Sequence, residues 1–162
     1  MKEDFLNELG ELALGSRLKR LSERMIADAS AVYQHFDLDV QPKWFTLLAL
    51  LHKKKRVGVV EAAEYLGVSQ PAISQFGRQL LDKEFLTIEI DANDSRRKCM
   101  CLTDIGEAKI AQMLPIWDAV QAAASALCTE LENDFYHSLV KFEEALQRKS
   151  LLTRTLNAYE NK

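Results

Sequence analysis

The 162-residue chain has little of what staples a fold or carries out catalysis. Its three cysteines are an odd count, which excludes a fully paired disulfide framework. Cys99 and Cys101 form a C-x-C pair with no second pair and no nearby histidine, so no zinc site is expected. In a strand the two would share one face as small half-buried residues; a redox-sensing thiol is the alternative. His35, His52 and His137 lie far apart in sequence, so no metal cluster and no cofactor are expected. G-x-S-x-G, the P-loop and the dinucleotide fingerprint are all missing, and the reading is not an enzyme.

Long apolar runs are missing too. The best, Phe45 to Leu51, stops at His52 and three lysines, short of a membrane span. The opening stretch MKEDFLNELGELAL is acidic and mixed, unlike a secretory leader, so a cytoplasmic protein with no membrane partner is expected. Low-complexity tracts and solenoid repeats are absent. What is there is 48% apolar and 28% charged, the composition of a globular domain large enough to bury a core unaided.

Residues 3–35 carry Leu14, Leu18, Leu21, Met25, Ala29, Val32 and Phe36 at spacings of three and four, which predicts one long helix. Gly10 and Gly15 weaken its first turns. Pro42 opens a second helix with Trp44, Phe45, Leu47, Leu48 and Leu51, closed by HKKKR. A short third helix, VVEAAEYL, follows Gly58 and stops at Gly67; Ser69 caps a fourth. Alternating TIEI, the turn signal DANDS and RRKCMCL predict a β-hairpin. Thr103 then caps a fifth helix that Pro115 should kink, and a last helix is expected over about 130–159.

A helix–turn–helix followed at once by a hairpin is a winged helix. The class is therefore mainly α, an α+β winged helix with a β-hairpin wing and long flanking N- and C-terminal dimerisation helices. The organisation is one domain, 1–162: an N-terminal dimerisation helix (1–41), a winged DNA-binding module (42–102) and C-terminal dimerisation helices (103–162). The net charge of −3 hides its distribution. Between Lys43 and Leu102 stand ten basic and seven acidic side chains, a surplus of three positive charges, while the flanks are acidic. A mildly basic module between acidic helices suits DNA.

The stretch SQPAISQFGRQLL divides cleanly. Ile73, Phe76, Gly77 and Leu80 share one side and should pack on Ala63 and Leu66. Ser69, Gln70, Pro71, Ser74, Gln75 and Arg78 are left to meet bases and phosphates, since Gln suits adenine and Arg suits guanine. An ordinary amphipathic helix with a polar solvent face is the alternative for this stretch alone. The wing basic residues Arg96, Arg97 and Lys98 are placed for phosphate contacts. HKKKR reads either as a DNA-backbone contact or as a solvated helix end.

At DSRRKCMCLTDIG the chain resembles the MarR family of winged-helix regulators. Asp94, Arg96, Leu102, Thr103 and Gly106 occupy the places of the family's wing pattern, and LGVSQPAISQ is similar to its turn and recognition helix. The resemblance implies a homodimer on a palindromic double-stranded DNA operator, most often a repressor. Arg96 would be the minor-groove or phosphate contact, oriented by Asp94; Asp94 as a plain turn former is the other reading. Peroxide-sensing members use a cysteine in the first helix, where this chain has none.

The resemblance also implies a small aromatic ligand, for which Tyr33, His35, Trp44, Phe45 and Trp117 are the cavity candidates; plain core packing is the alternative for each. Two residues depart from the pattern. Gly58 replaces the usual cap before the third helix, making a loose start. Gly77 sits inside the recognition helix, either to let helices approach or to let the helix bend. Two other functions stay open: a winged protein-interaction module without DNA binding, and the regulatory part of a longer acyltransferase fusion.

Overall fold

The computed structural model describes residues 3–90, 98–131 and 134–161. The wing-tip residues Asp94, Arg96 and Arg97 lie outside these. The chain forms two compact bodies, Met1–Ile110 and Ala111–Lys162.

The first body opens with α1 (Phe5–Leu9), a 3-10 turn (Gly10–Ala13) and α2 (Leu14–His35). The single helix expected over 3–35 is thus broken. Gly10 takes φ +53°, a left-handed value that only glycine adopts cheaply, and ends α1 there. Asp4 caps α1 by accepting from the Leu6 amide at 3.2 Å, and Arg20 of α2 donates to the same carboxylate at 2.6 Å. The guanidinium holds the Asp4 carboxyl below its ordinary range, with the Leu6 amide adding to it.

A 3-10 turn, Pro42–Trp44, leads into α3 (Phe45–Lys54), as the proline predicted. Lys55 then takes φ +67° and turns the chain into a strand, β1 (Arg56–Gly58). This strand was not foreseen: HKKKR does not simply close a helix. Three residues are too few to show an alternating pattern, and β1 exists because it pairs with a longer strand downstream. The helix α4 (Val59–Leu66) follows, then the turn at Gly67 (φ +64°), then α5 (Gln70–Asp82). Gly58 has no side-chain cap to offer α4, but it is not loose: it is paired with Cys99.

The hairpin strands are β2 (Leu86–Ile90) and β3 (Lys98–Leu102), and the antiparallel order is β1-β3-β2. Register assigns the faces. Val57, Met100 and Ile88 align on one side; Arg56, Cys101 and Thr87 align on the other, with Gly58, Cys99 and Glu89 beside them. Cys99, Met100 and Cys101 are all buried, so the two cysteines are more enclosed than the half-burial expected of them. The core of this body is Trp44, Leu47, Leu48, Leu51, Val57, Ile73, Leu80 and Met100.

The helix α6 (Asp104–Glu130) starts in the first body and runs on through Pro115. The second body continues with α7 (Phe135–Arg148) and α8 (Leu151–Glu160). The one last helix expected is two, because Lys149 is extended (φ −150°, ψ 114°) and Ser150 starts a new helix by accepting from the Thr153 amide at 3.2 Å. Neither α7 nor α8 has a buried residue. Among the described residues no helix is long and apolar enough to cross a membrane.

Candidate nucleic-acid interface

The site is built around α5. Gly67 closes α4 in the left-handed conformation, and the Val68 amide bonds back to the Ala63 carbonyl at 3.1 Å. Ser69 Oγ accepts from the Ala72 amide at 3.4 Å and starts α5. Pro71 stands in the first turn, where no N–H is needed. The helix then splits as its sequence predicted. Ile73, Gly77 and Leu80 are buried, while Ser69, Gln70, Pro71, Ser74, Gln75 and Arg78 are exposed. Phe76 is half-buried.

Gly77 faces the sheet rather than a helix. A Cβ there would meet Met100 Sδ at 3.0 Å, so the close neighbour is β3. Beside it lies an open groove of about 220 Å³, lined by Val59, Ser74, Gly77, Arg78, Leu81, Ile88 and Met100. Ser74 and Arg78 therefore stand at the lip where the helix meets the sheet.

The far end of α5 is fixed to the start of α6. Glu84 takes φ +59°, and the Thr103 hydroxyl donates to its carbonyl at 2.6 Å. The same hydroxyl accepts from the Gly106 amide at 3.0 Å, the cap that sequence assigned to Thr103. Two more bonds orient α5 against the segment before α3. Trp44 Nε1 donates to Gln79 Oε1 at 2.9 Å, and Lys83 pairs with Asp39. Sequence gave no sign of either.

The basic run that ends α3 and enters β1 is largely occupied. Lys55 Nζ lies 3.0 Å from Glu107 Oε1 and His52 Nδ1 lies 3.2 Å from Glu107 Oε2. Lys55 holds the Glu107 carboxyl below its ordinary range; burial opposes this, and His52 adds to the lowering. Lys54 sits 4.8 Å from the Tyr65 ring centroid, and Arg56 bonds β2. On the wing, Lys98 is exposed and paired in register with Ile90.

The five cavity candidates are not treated alike. Tyr33 and Trp44 are buried in the first body, and the Trp44 indole N–H is spent on Gln79. His35 and Phe45 are exposed, the former with its ring edge-on to Phe36 at 5.0 Å. Trp117 belongs to the second body. None of the five lines the groove beside α5. Among the described residues no group of three or more potential ligands could hold a metal ion.

No model of a known protein family matches the chain. Solved structures do. A mutant of MarR from E. coli complexed with operator DNA aligns with a TM-score of 0.68 and 21% identity, over 92% of this chain and 99% of that one. BpsR of Bordetella bronchiseptica, whose DNA binding is regulated by 6-hydroxynicotinic acid, aligns at 0.64 and 18%, over 82% and 91%. The adhesin competence repressor AdcR of Streptococcus pyogenes aligns at 0.61 and 18%, over 83% and 95%. At these identities the likeness is one of fold, and the fold of this chain is that of the MarR-type winged-helix regulators.

Proposed function

We propose that the chain is a sequence-specific DNA-binding transcriptional regulator, a repressor acting in the cytoplasm as a homodimer on a palindromic operator. The observation that carries this reading is α5: a capped helix with its apolar side buried against α4 and the sheet and Gln70, Ser74, Gln75 and Arg78 all exposed on the other side. Gln and Arg can each make paired bonds to base edges in a major groove. Phosphate affinity would come from the wing, with Arg96, Arg97 and Lys98 as contacts and Asp94 orienting Arg96. MarR in its operator complex supports the same use of this fold.

Homodimerisation is supported by apolar side chains left uncovered on one chain. Leu21, Met25 and Ile26 of α2 are exposed, and so are Leu151, Leu152, Leu156 and Tyr159 of α8. A twofold dimer would bury them and set two recognition helices about one DNA turn apart. Control by a small aromatic ligand belongs to the same proposal and takes its support from BpsR.

The deciding experiment is selection of bound sequences from a random DNA pool. Enrichment of an inverted repeat is expected, with affinity for it lost when Arg78→Ala and Arg96→Ala are combined. A pool that yields no enriched sequence would leave the winged module as a protein-interaction device.

A further inference from the structure

Arg56 is the last residue of the basic run, where a phosphate contact would be its simplest use. The structure gives it another. It stands on β1, an edge strand, yet among the described residues it bonds and pairs with β2, the opposite edge. Nη2 donates to the Ile90 carbonyl at 3.2 Å, and Nε lies 3.9 Å from Glu89 Oε2. The side chain therefore spans β3. It does so on the face that carries Cys101, its register partner, and Cys99. On that face the Glu89 carboxylate also acts on the Cys101 thiol, adding to the burial that raises it above its ordinary value.

The position of the acceptor matters. Ile90 is the last residue of β2, and in sequence the stretch carrying Asp94, Arg96 and Arg97 follows it. A planar guanidinium that holds a carbonyl and a carboxylate at once fixes a direction, which a lysine ammonium does not. An exposed ion pair of this kind adds little to global stability. Its effect is geometric and local.

We infer that Arg56 is a positioning residue for the base of the wing: its clamp on Glu89 and the Ile90 carbonyl, made across β3, fixes the end of β2 beside Lys98 of β3, the footing on which the DNA contacts of the wing depend. The functional half of this rests on the DNA-reading proposal. The clamp itself does not.

The test uses the full chain with Arg56→Lys, Arg56→Ala and Glu89→Gln, and has two readouts. The first is amide exchange without DNA. Arg56→Lys and Glu89→Gln should each speed exchange of the Ile90 and Lys98 amides several-fold while the α3 and α5 amides stay as slow as in the parent. Unchanged exchange at Ile90 overturns the clamp. The second is affinity for the selected operator against salt. Arg56→Lys should weaken binding by about tenfold with the salt slope unchanged, because the charge is kept and the geometry is lost. If Arg56 instead touches a phosphate, Lys keeps the affinity, Ala lowers the salt slope by about one, and removing the Glu89 charge strengthens binding; that pattern overturns the inference. A parent protein that binds no selected DNA sinks the DNA reading, while the exchange measurement still decides the clamp.

Discussion

A Cβ on Gly106 would lie 2.1 Å from the carbonyl oxygen of Phe85. The first turn of α6 thus rests on the backbone just past α5, at the residue where the Thr103 amide also bonds Phe85 at 3.1 Å. Backbone cannot swing aside as a side chain can. Gly106→Ala should therefore cost about 2–4 kcal/mol, as overpacking against fixed neighbours does. Gly77→Ala is the control. Its added methyl would meet the flexible thioether of Met100 at 3.0 Å, and alanine recovers about 1 kcal/mol of helix propensity. It should stay within about 1 kcal/mol of the parent. Urea unfolding of both variants checks the contrast; equal losses would show that the Phe85 contact is not rigid.

This pair also marks how far the sequence could be read. Gly106 was visible as a motif position, but its reason, a backbone pressed against it, is a tertiary fact. Gly77 was placed on the buried side from helical periodicity alone, and it is buried. Periodicity could not say that its neighbour was a strand. The split of α5 into apolar and polar sides, the caps at Ser69 and Thr103 and the hairpin strands were all legible, because each depends on residues close in sequence. β1 was not, since it needs β3, more than forty residues away, to exist. The breaks at Gly10 and Lys149 were missed for the converse reason: apolar spacing continued across them while a backbone angle did not. The polar fasteners Trp44–Gln79 and Arg56–Ile90 join residues with no shared pattern.

Trp44 is almost wholly buried and its indole N–H has Gln79 Oε1 as partner at 2.9 Å. Trp44→Phe removes the donor, leaves space and strands a partly buried amide oxygen. A loss of about 1–3 kcal/mol is expected, larger than a net hydrogen bond because desolvation is no longer offset. Adding Gln79→Leu removes the stranded group and should recover part of that loss. A double-mutant cycle by urea unfolding measures it. Strictly additive losses would mean that the bond contributes nothing to holding α5.

The thiols should be unequal. Burial first, and the Glu89 carboxylate second, push the Cys101 thiol up from 9.0 to about 11. A group whose folded pKa is raised binds its proton more tightly in the folded state. Its contribution is fully present below pH 9 and is lost as pH rises toward 11. Stability should therefore fall over that window, and Cys101→Ser should flatten the fall. At pH 8 an aromatic disulfide reagent should reach half-buried Cys128 first and the two β3 cysteines only on unfolding. Rapid reaction of Cys99 or Cys101 in the folded protein would revive the redox-sensor reading.

The last expectation concerns the uncovered helix α8. Leu152 and Leu156 are four residues apart, so they share a face, and their exposures are 69% and 51%. Side chains this open contribute little to the folding of one chain. If a second copy covers them, they sit in an apolar interface where a carboxylate without a partner is costly. Leu152→Asp with Leu156→Asp should thus leave the helical circular dichroism almost unchanged but weaken self-association by about a hundredfold or more. Sedimentation velocity across a dilution series reads the change. Operator affinity should fall with it, because each half-site would then be bound singly. A variant that stays dimeric at the parent's concentrations would remove α8 from the interface and leave α2, with Leu21, Met25 and Ile26, as the face to test.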